Sequence, residues 1–415
     1  VSDTLKDEFN AMAASVIKKI FKEIKDLYPS ADKIKRLLQP FKDKEITEVL
    51  KENGFGLDSK DEYGDTPLLV AAKKEFLNRD TEAKLKVMSL LLDHGASANA
   101  KDTDKNSSIH IVWEEETLRN LLIDKGADIN SLDSDGKTVL IKSVYQTYRY
   151  KFEGILDKGA DVNFADSEGN TPLHHAVIAY KGWMFYDGDS LFNKFIEKGA
   201  NINAQNKNGD TPLMFAVING RCDINQIIKA GAKLDTKNKK GETALGMAIA
   251  KKEYNYVTKL LEAGAKAENV FEDGESYLSF AVRNKYYDIT SCLVGVGKVD
   301  VNRQDSNGKT SAHIAAEHNS YKELEVLVKD GSARLDIQDK EENTPLHIAV
   351  EKGSRESAMV IMTQEIHPDI HAKNKQGKSS FDIATKKDDK DMLRILSGDK
   401  IAKSYVKLTK MGYRP

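Results

Sequence analysis

The sequence predicts an all-α solenoid of stacked helix-turn-helix units, joined by short hairpin-like turns and closed by a helical cap at each end. Three observations predict it. A start signal, Gly-x-Thr-Pro-Leu or a variant, recurs at a period of roughly 33 residues. A stop signal follows six of the starts, an apolar run ending in Gly-Ala such as Leu91-Leu92-Asp93-His94-Gly95-Ala96 or Leu260-Leu261-Glu262-Ala263-Gly264-Ala265. Amphipathic stretches of helical spacing lie before the first copy and after the last.

Ser2 to Tyr28 places Leu5, Phe9, Met12, Val16, Ile20 and again Ala13, Ile17, Ile24, Leu27 on one broad face, and Pro29 ends it. Such a face suits a cap over the apolar end of a repeat stack. Lys18, Lys19, Lys22 and Lys25 around the other side also fit a basic membrane-surface helix, although Asp7, Glu8, Glu23 and Asp26 dilute that charge. Lys33 to Leu38 and Glu45 to Asn53 read as two short helices separated by Pro40, a degenerate opening repeat with its glycine stop at Gly54. Residues 1–56 are therefore assigned to the N-terminal cap and first repeat, 57–397 to the repeat array and 398–415 to a C-terminal capping helix or tail. Lys400, Lys403, Lys407 and Lys410 in that last stretch form either a solvated face or a contact for an acidic partner.

The full start runs Gly64 to Leu68, Gly169 to Leu173 and Gly209 to Leu213, and shorter forms follow Gly136, Gly241, Gly274, Gly308 and Gly377. Its physics is local. Glycine supplies the left-handed turn residue, threonine or serine caps the helix, and proline takes the first helical position, where its missing N–H costs nothing. The register resembles the ankyrin repeat, whose signature is T-P-L-H-x-A. Asp166 to Asn206 carries the fullest copy, with Thr171-Pro172-Leu173-His174-His175-Ala176 at its start and Gly199-Ala200-Asn201 at its end. The resemblance implies an ankyrin solenoid of about ten repeats, a non-enzymatic scaffold that binds a protein partner on a concave face of turn tips and first helices. It also implies that His174, His313 and His347 hydrogen-bond backbone between neighbouring turns.

Two places depart from the pattern. At Glu342 the turn glycine is absent, so a non-glycine residue must take a positive φ at a cost of about 1 kcal/mol. The repeat at Asn106 lacks proline, places His110 where leucine is expected, and has a first helix that ends near Trp113. Asn106 to Thr117 is the expected soft point.

Composition removes several function classes. Lysine and arginine total 63 against 65 aspartate and glutamate, so no broad field favours nucleic acid or anionic lipid. Cys222 and Cys292 lack CxxC spacing and suggest free thiols in a reducing, cytoplasmic setting. No apolar run reaches membrane-span length, and the chain reads as a soluble monomer. The irregular repeats, the insertions and the Lys/Asn-rich composition resemble ankyrin effectors that intracellular bacteria deliver into host cytosol.

Candidate partner contacts come from aromatics and arginine, which dominate interfaces. The insertion Tyr180 to Asp189 holds Trp183, Phe185 and Tyr186, each able to bury about 150–250 Å² against a partner or against its own repeat. Tyr148 and Arg149 lie in the preceding repeat, and Phe164, Phe271 and Arg303 join Tyr63, Gln205, Lys237 and Gln338 at turn tips. Tyr145, Tyr150, Tyr180, Tyr254, Tyr256, Tyr286, Tyr287 and Tyr321 recur at the helix-to-helix edge, as an aromatic strip or as packing, with Tyr256 at an apolar core position. Leu122 to Asn130 matches the spacing of an asparaginyl-hydroxylase substrate in such repeats, so Asn130 is a modification candidate, with Asn163 and Asn203 weaker matches; a plain turn asparagine is the other reading.

No catalytic, metal or cofactor site is expected. His367 and His371 have i, i+4 spacing, but Pro368 and the register put them in a turn with no third ligand. Gly295-Val296-Gly297 lacks the third glycine and the strand of a nucleotide fingerprint. The competing functional readings are a regulatory or substrate-recognition part of a larger enzyme or channel, and an enzyme with a site on the insertion or the terminal helices.

Overall fold

In the computed structural model, which describes residues 3–26, 30–52, 54, 56–74, 81–145, 150–179, 191–220, 224–364 and 368–398, threonine and serine hydroxyls start the helices where the sequence predicts. Thr66, Thr138, Thr211, Thr243, Ser276 and Ser379 each accept the N–H three residues on, at 3.0–3.4 Å. This satisfies one of the donors that every helix start leaves unpaired. Where the third helical residue is histidine, its ring reaches back instead. His110, His174, His313 and His347 accept the N–H of Ser107, Thr171, Thr310 and Thr344 on Nδ1 at 3.1–3.2 Å.

His110 thus corrects the expectation that it replaces leucine. Ser107-Ser108-Ile109-His110 is the Thr-Pro-Leu-His start with serine in place of threonine and proline, and Ile109 fills the leucine site, fully buried. Its turn residue Lys105 has φ +65°, and Glu342 has φ +60°, so both take the left-handed conformation that glycine adopts elsewhere.

Two units, Val1–Lys207 and Asn208–Pro415, divide the chain. In the first, the first helices Pro67–Lys73, Ser108–Val112, Val139–Val144 and Pro172–Ala179 alternate with the second helices Thr81–Asp93, Glu116–Asp124, Tyr150–Asp157 and Leu191–Glu197. In the second unit the first helices are Pro212–Asn219, Ala244–Ala250, Tyr277–Arg283, Ser311–His318, Pro345–Lys352 and Ser380–Lys386. Their partners are Ile224–Lys229, Tyr254–Glu262, Tyr287–Gly295, Tyr321–Lys329, Arg355–Met362 and Lys390–Leu396. In the second unit first helices pack on first helices and second on second throughout, and in the first Pro67–Lys73 packs on Ser108–Val112, Val139–Val144 on Pro172–Ala179 and Thr81–Asp93 on Glu116–Asp124, so neighbouring repeats share their apolar faces. Among the described residues β-structure is limited to isolated bridges at two turns, Lys101 to Ser107 and Val270 to Ser276.

The N-terminal helix Asp3–Lys25 packs on Pro67–Lys73 and on Ala31–Leu37, with Ile17, Ile20, Phe21 and Ile24 buried. Its apolar face is therefore occupied by protein from Ala13 to Ile24, while Met12, expected on that face, is exposed. Ala31–Leu37 in turn packs on the second helix Thr81–Asp93. The pair that opens the stack is thus Asp3–Lys25 with Ala31–Leu37, not the two short helices expected from the sequence. The physical reason lies in Lys44–Glu52, which buries Leu50 but leaves Ile46 and Val49 exposed and packs on the short turn Gln39–Lys42.

Candidate protein-binding surface

Eight of the turns are built on one carboxylate or amide each. Asp61, Asp102, Asp133, Asp166, Asn238, Asp305, Asp339 and Asn374 accept on Oδ1 the N–H groups two and four residues on, at 2.8–3.1 Å. This closes the turn ahead of each first helix. Turns are then joined to their neighbours. Asn99, Asn130, Asn163 and Asn302 accept the backbone N–H of Asp128, Asp161, Asn201 and Arg334 at 2.7–2.9 Å. The capping histidines add a second join, since Nε2 of His110, His313 and His347 donates to the carbonyls of Ser131, Asn343 and Ala372 at 2.9–3.0 Å.

With turns and helices fixed this way, the residue after the signature histidine lies on the first-helix ridge beside the turns. In the N-terminal unit this register carries Val70 and Ile111, both half-buried, then Lys142 and the buried His175, and Lys73 lies three residues beyond Val70. Lys73 pairs with Asp65 (2.7 Å) and Asp102 (2.9 Å), Lys142 with Asp133 (3.0 Å), and His175 with Asp166 (2.8 Å). Burial alone would raise the Asp133 carboxyl, but the Lys137 N–H and the Lys142 ammonium outweigh it and hold it below the ordinary range. In the C-terminal unit the same register carries Phe215, Met247, Phe280 and Ile314, all half-buried. Ion pairs flank them: Arg283 forks onto Glu275 at 2.6 and 2.9 Å, and Glu317 takes Lys309 at 2.6 Å and Lys352 at 3.4 Å.

The sequence-predicted contacts divide accordingly. Tyr63, Gln205, Lys237, Arg303 and Gln338 are exposed at turns, whereas Phe164 and Phe271 are half-buried. Phe271 occupies the place where other turns have Asp or Asn, and it packs against Tyr277 and Phe280 with ring centroids 4.8 and 4.7 Å away. Arg303 donates to the Glu268 carbonyl at 2.9 Å. Phe164 lines a groove of about 530 Å³ with Lys101, Asp128, Asn130 and Leu132, so the structure brings Phe164 and Asn130 together. Tyr148, Arg149, Trp183, Phe185, Tyr186 and His367 lie outside the described residues.

The tyrosines serve different ends. Tyr256 is buried as expected, Tyr254, Tyr287 and Tyr321 stand exposed at the first residue of successive second helices, and Tyr145 hydrogen-bonds His175. Sequence reasoning missed His175, whose only signal is the doubled histidine His174-His175. Among the described residues no group of His, Cys, Asp and Glu has a metal-binding arrangement, and no helix is long and apolar enough to cross a membrane.

Comparison with known proteins places the pattern. The model described as "Ankyrin repeats (3 copies)" matches residues 108–182, 182–270 and 278–374, and the single "Ankyrin repeat" model matches 63–103. Among solved structures, the ankyrin repeat domain of Bcl-3, a unique member of the IkappaB protein family, is 24% identical. It covers 55% of this chain and 92% of that one, with a TM-score of 0.43. No curated protein matches. With repeat models spanning well over half of the chain and the capping and turn geometry of each repeat in place, this protein belongs to the ankyrin-repeat family.

Proposed function

We propose that the chain is a non-enzymatic adaptor that holds a protein partner on its turn tips and first helices. Ankyrin repeats are in general protein-interaction scaffolds, and the observation that supports this surface is the ridge Phe215, Met247, Phe280 and Ile314. Four successive apolar residues at one register position remain partly uncovered, rimmed by ion pairs, which is the composition of a recognition core with a polar rim. The aromatic insertion with Trp183, Phe185 and Tyr186 belongs to the same proposal as a second contact, as do Tyr148 and Arg149. The irregular repeats and insertions support a delivered effector whose partner is a eukaryotic cytosolic protein, bound by a monomer without nucleic acid.

Affinity capture from eukaryotic cell lysate tests it, comparing wild type with Phe280→Ala/Ile314→Ala and with Trp183→Ala/Phe185→Ala/Tyr186→Ala. A captured protein lost from the first variant at unchanged melting temperature supports the ridge; loss from the second alone moves recognition to the insertion. Retention by both defeats the proposal.

A further inference from the structure

A hydrogen-bonded chain of three side chains crosses two repeats of the N-terminal unit. Tyr145, at the end of the helix Val139–Val144, has its Oη 2.7 Å from His175 Nδ1, and His175 Nε2 lies 2.8 Å from Asp166 Oδ2. Asp166 is fixed by the N–H groups of Glu168 and Asn170 at 2.9 and 2.8 Å and by the Asn170 amide at 3.3 Å. His175 is 6% exposed, whereas Tyr145 is 46% exposed, so the chain runs from the interior to the surface. Lys137 Nζ stands 5.7 Å from the Tyr145 ring centroid.

The protons on this chain have one consistent arrangement. Burial pulls the Asp166 carboxyl up, but its hydrogen bonds from Asn170 and His175 hold it below the ordinary range, so it is ionised and can only accept. His175 Nε2 therefore carries the hydrogen, and Nδ1 keeps its lone pair for the Tyr145 O–H. Burial depresses the imidazole despite Asp166, which leaves it neutral at pH about 7. Burial, with Asp166 second, raises the phenol, so it rests protonated. A weak nucleophile donates to a basic nitrogen whose orientation a carboxylate sets. That is the general arrangement by which a hydroxyl is deprotonated as it attacks.

We propose that Tyr145 is a base-assisted nucleophile and an O-modification site for activated phosphoryl or sulfonyl donors. In the step, Oη attacks the tetrahedral phosphorus or sulfur, the new O–P or O–S bond forms, and the bond to the leaving group breaks with its electron pair. The phenol proton passes to His175 Nδ1. The imidazolium stays paired with Asp166, the positioning residue, until it loses that proton to water. Among the described residues Lys137 is the cation that stands over the modified ring. The inference is independent of the partner-binding proposal.

The test uses the full chain and p-toluenesulfonyl fluoride, with labelled tyrosines located by peptide mass spectrometry. Tyr254 and Tyr287 are internal standards, because they are 46% and 47% exposed and have no imidazole partner among the described residues. Tyr145 is expected to label about a hundredfold faster than Tyr254, the low end of a general-base effect. Its rate should fall on acidification as His175 takes a proton, with Asp166, Lys137 and Tyr145 the groups facing that ring. His175→Gln retains a donor for Asp166 and an acceptor for Tyr145 but no basic nitrogen, and should reduce Tyr145 to the Tyr254 rate with an unchanged melt. His175→Met is the second variant, since Met247 occupies the same register position in the C-terminal unit. Equal rates for Tyr145 and Tyr254 in wild type, or undiminished labelling in a folded His175 variant, overturn the proposal.

Discussion

At Gly246 a missing side chain and an extra one complete each other. Gly246 stands where other repeats place the capping histidine, and Tyr277 of the next repeat fills the space, its Oη 2.9 Å from the cap hydroxyl of Thr243. A Cβ at 246 would lie 2.5 Å from that Oη and 2.9 Å from Cζ, so Gly246→Ala should cost about 1–3 kcal/mol by overpacking. Tyr277→Phe should cost about 1 kcal/mol, the worth of one buried hydrogen bond. Thermal melts check both, and a Gly246→Ala protein as stable as wild type would refute the account. The register was legible in Thr243-Ala244-Leu245-Gly246, but the exchange was not, because it joins residues 31 positions apart that a linear reading scores as two separate defects. Glu323 is a second such residue. It occupies the third position of its helix, where Tyr256 and Ile289 are buried in neighbouring repeats, and it is 3% exposed. Burial pushes its carboxyl up, so the folded chain keeps the proton longer than the unfolded one. Stability should then fall as pH rises from about 4.3 toward the folded value and stay lowered above it. Glu323→Gln should flatten that slope in urea melts, and Glu323→Ile should stabilise the neutral protein by about 1–3 kcal/mol.

Among the elements, the N-terminal helix carries the clearest test of its role. Ile20→Ala should cost about 2–5 kcal/mol, whereas Met12→Ala, at a 62% exposed site, should stay within about 0.5 kcal/mol. Equal effects would mean that the helix does not cover the stack. Its amphipathic face was legible from spacing alone. Which helix it partners was not, since pairing depends on how much apolar surface each candidate buries, and Lys44–Glu52 buries little beyond Leu50. The first helix Ser108–Val112 is the softest repeat on physical grounds. It has five residues, a left-handed Lys105 before it, and a buried Ser108 Oγ without a partner where proline usually stands. Arg119 beside it is 1% exposed with its Nε unpaired, although Nη1 donates to the Trp113 carbonyl at 2.9 Å. Hydrogen exchange should therefore open residues 106–117 before the helix Pro345–Lys352, and uniform protection would defeat this ranking. The weakness was visible in the sequence as a missing proline and glycine. The compensating cap by His110 was hidden, because two serines disguise the start.

Across the whole chain the buried imidazoles set the response to acid. Burial depresses His110, His175, His313 and His347 in both units, so the folded chain resists protons that the unfolded chain accepts. Stability should be full above about pH 6.5 and fall as pH drops through and below that value. Urea midpoints at pH about 7 and about 5.5 measure it, and an unchanged midpoint would show that these histidines are not held neutral. The asparagine joins between turns have a consequence of another kind. Asn99, Asn130, Asn163 and Asn302 each grip a main-chain N–H, and the residues that supply it are Asp128, Asp161, Asn201 and Arg334. Acidic, neutral and basic successors serve equally because the grip ignores their side chains. A gene segment encoding one repeat can thus be copied or excised in register and this backbone join still closes, whichever side chain the asparagine's partner carries.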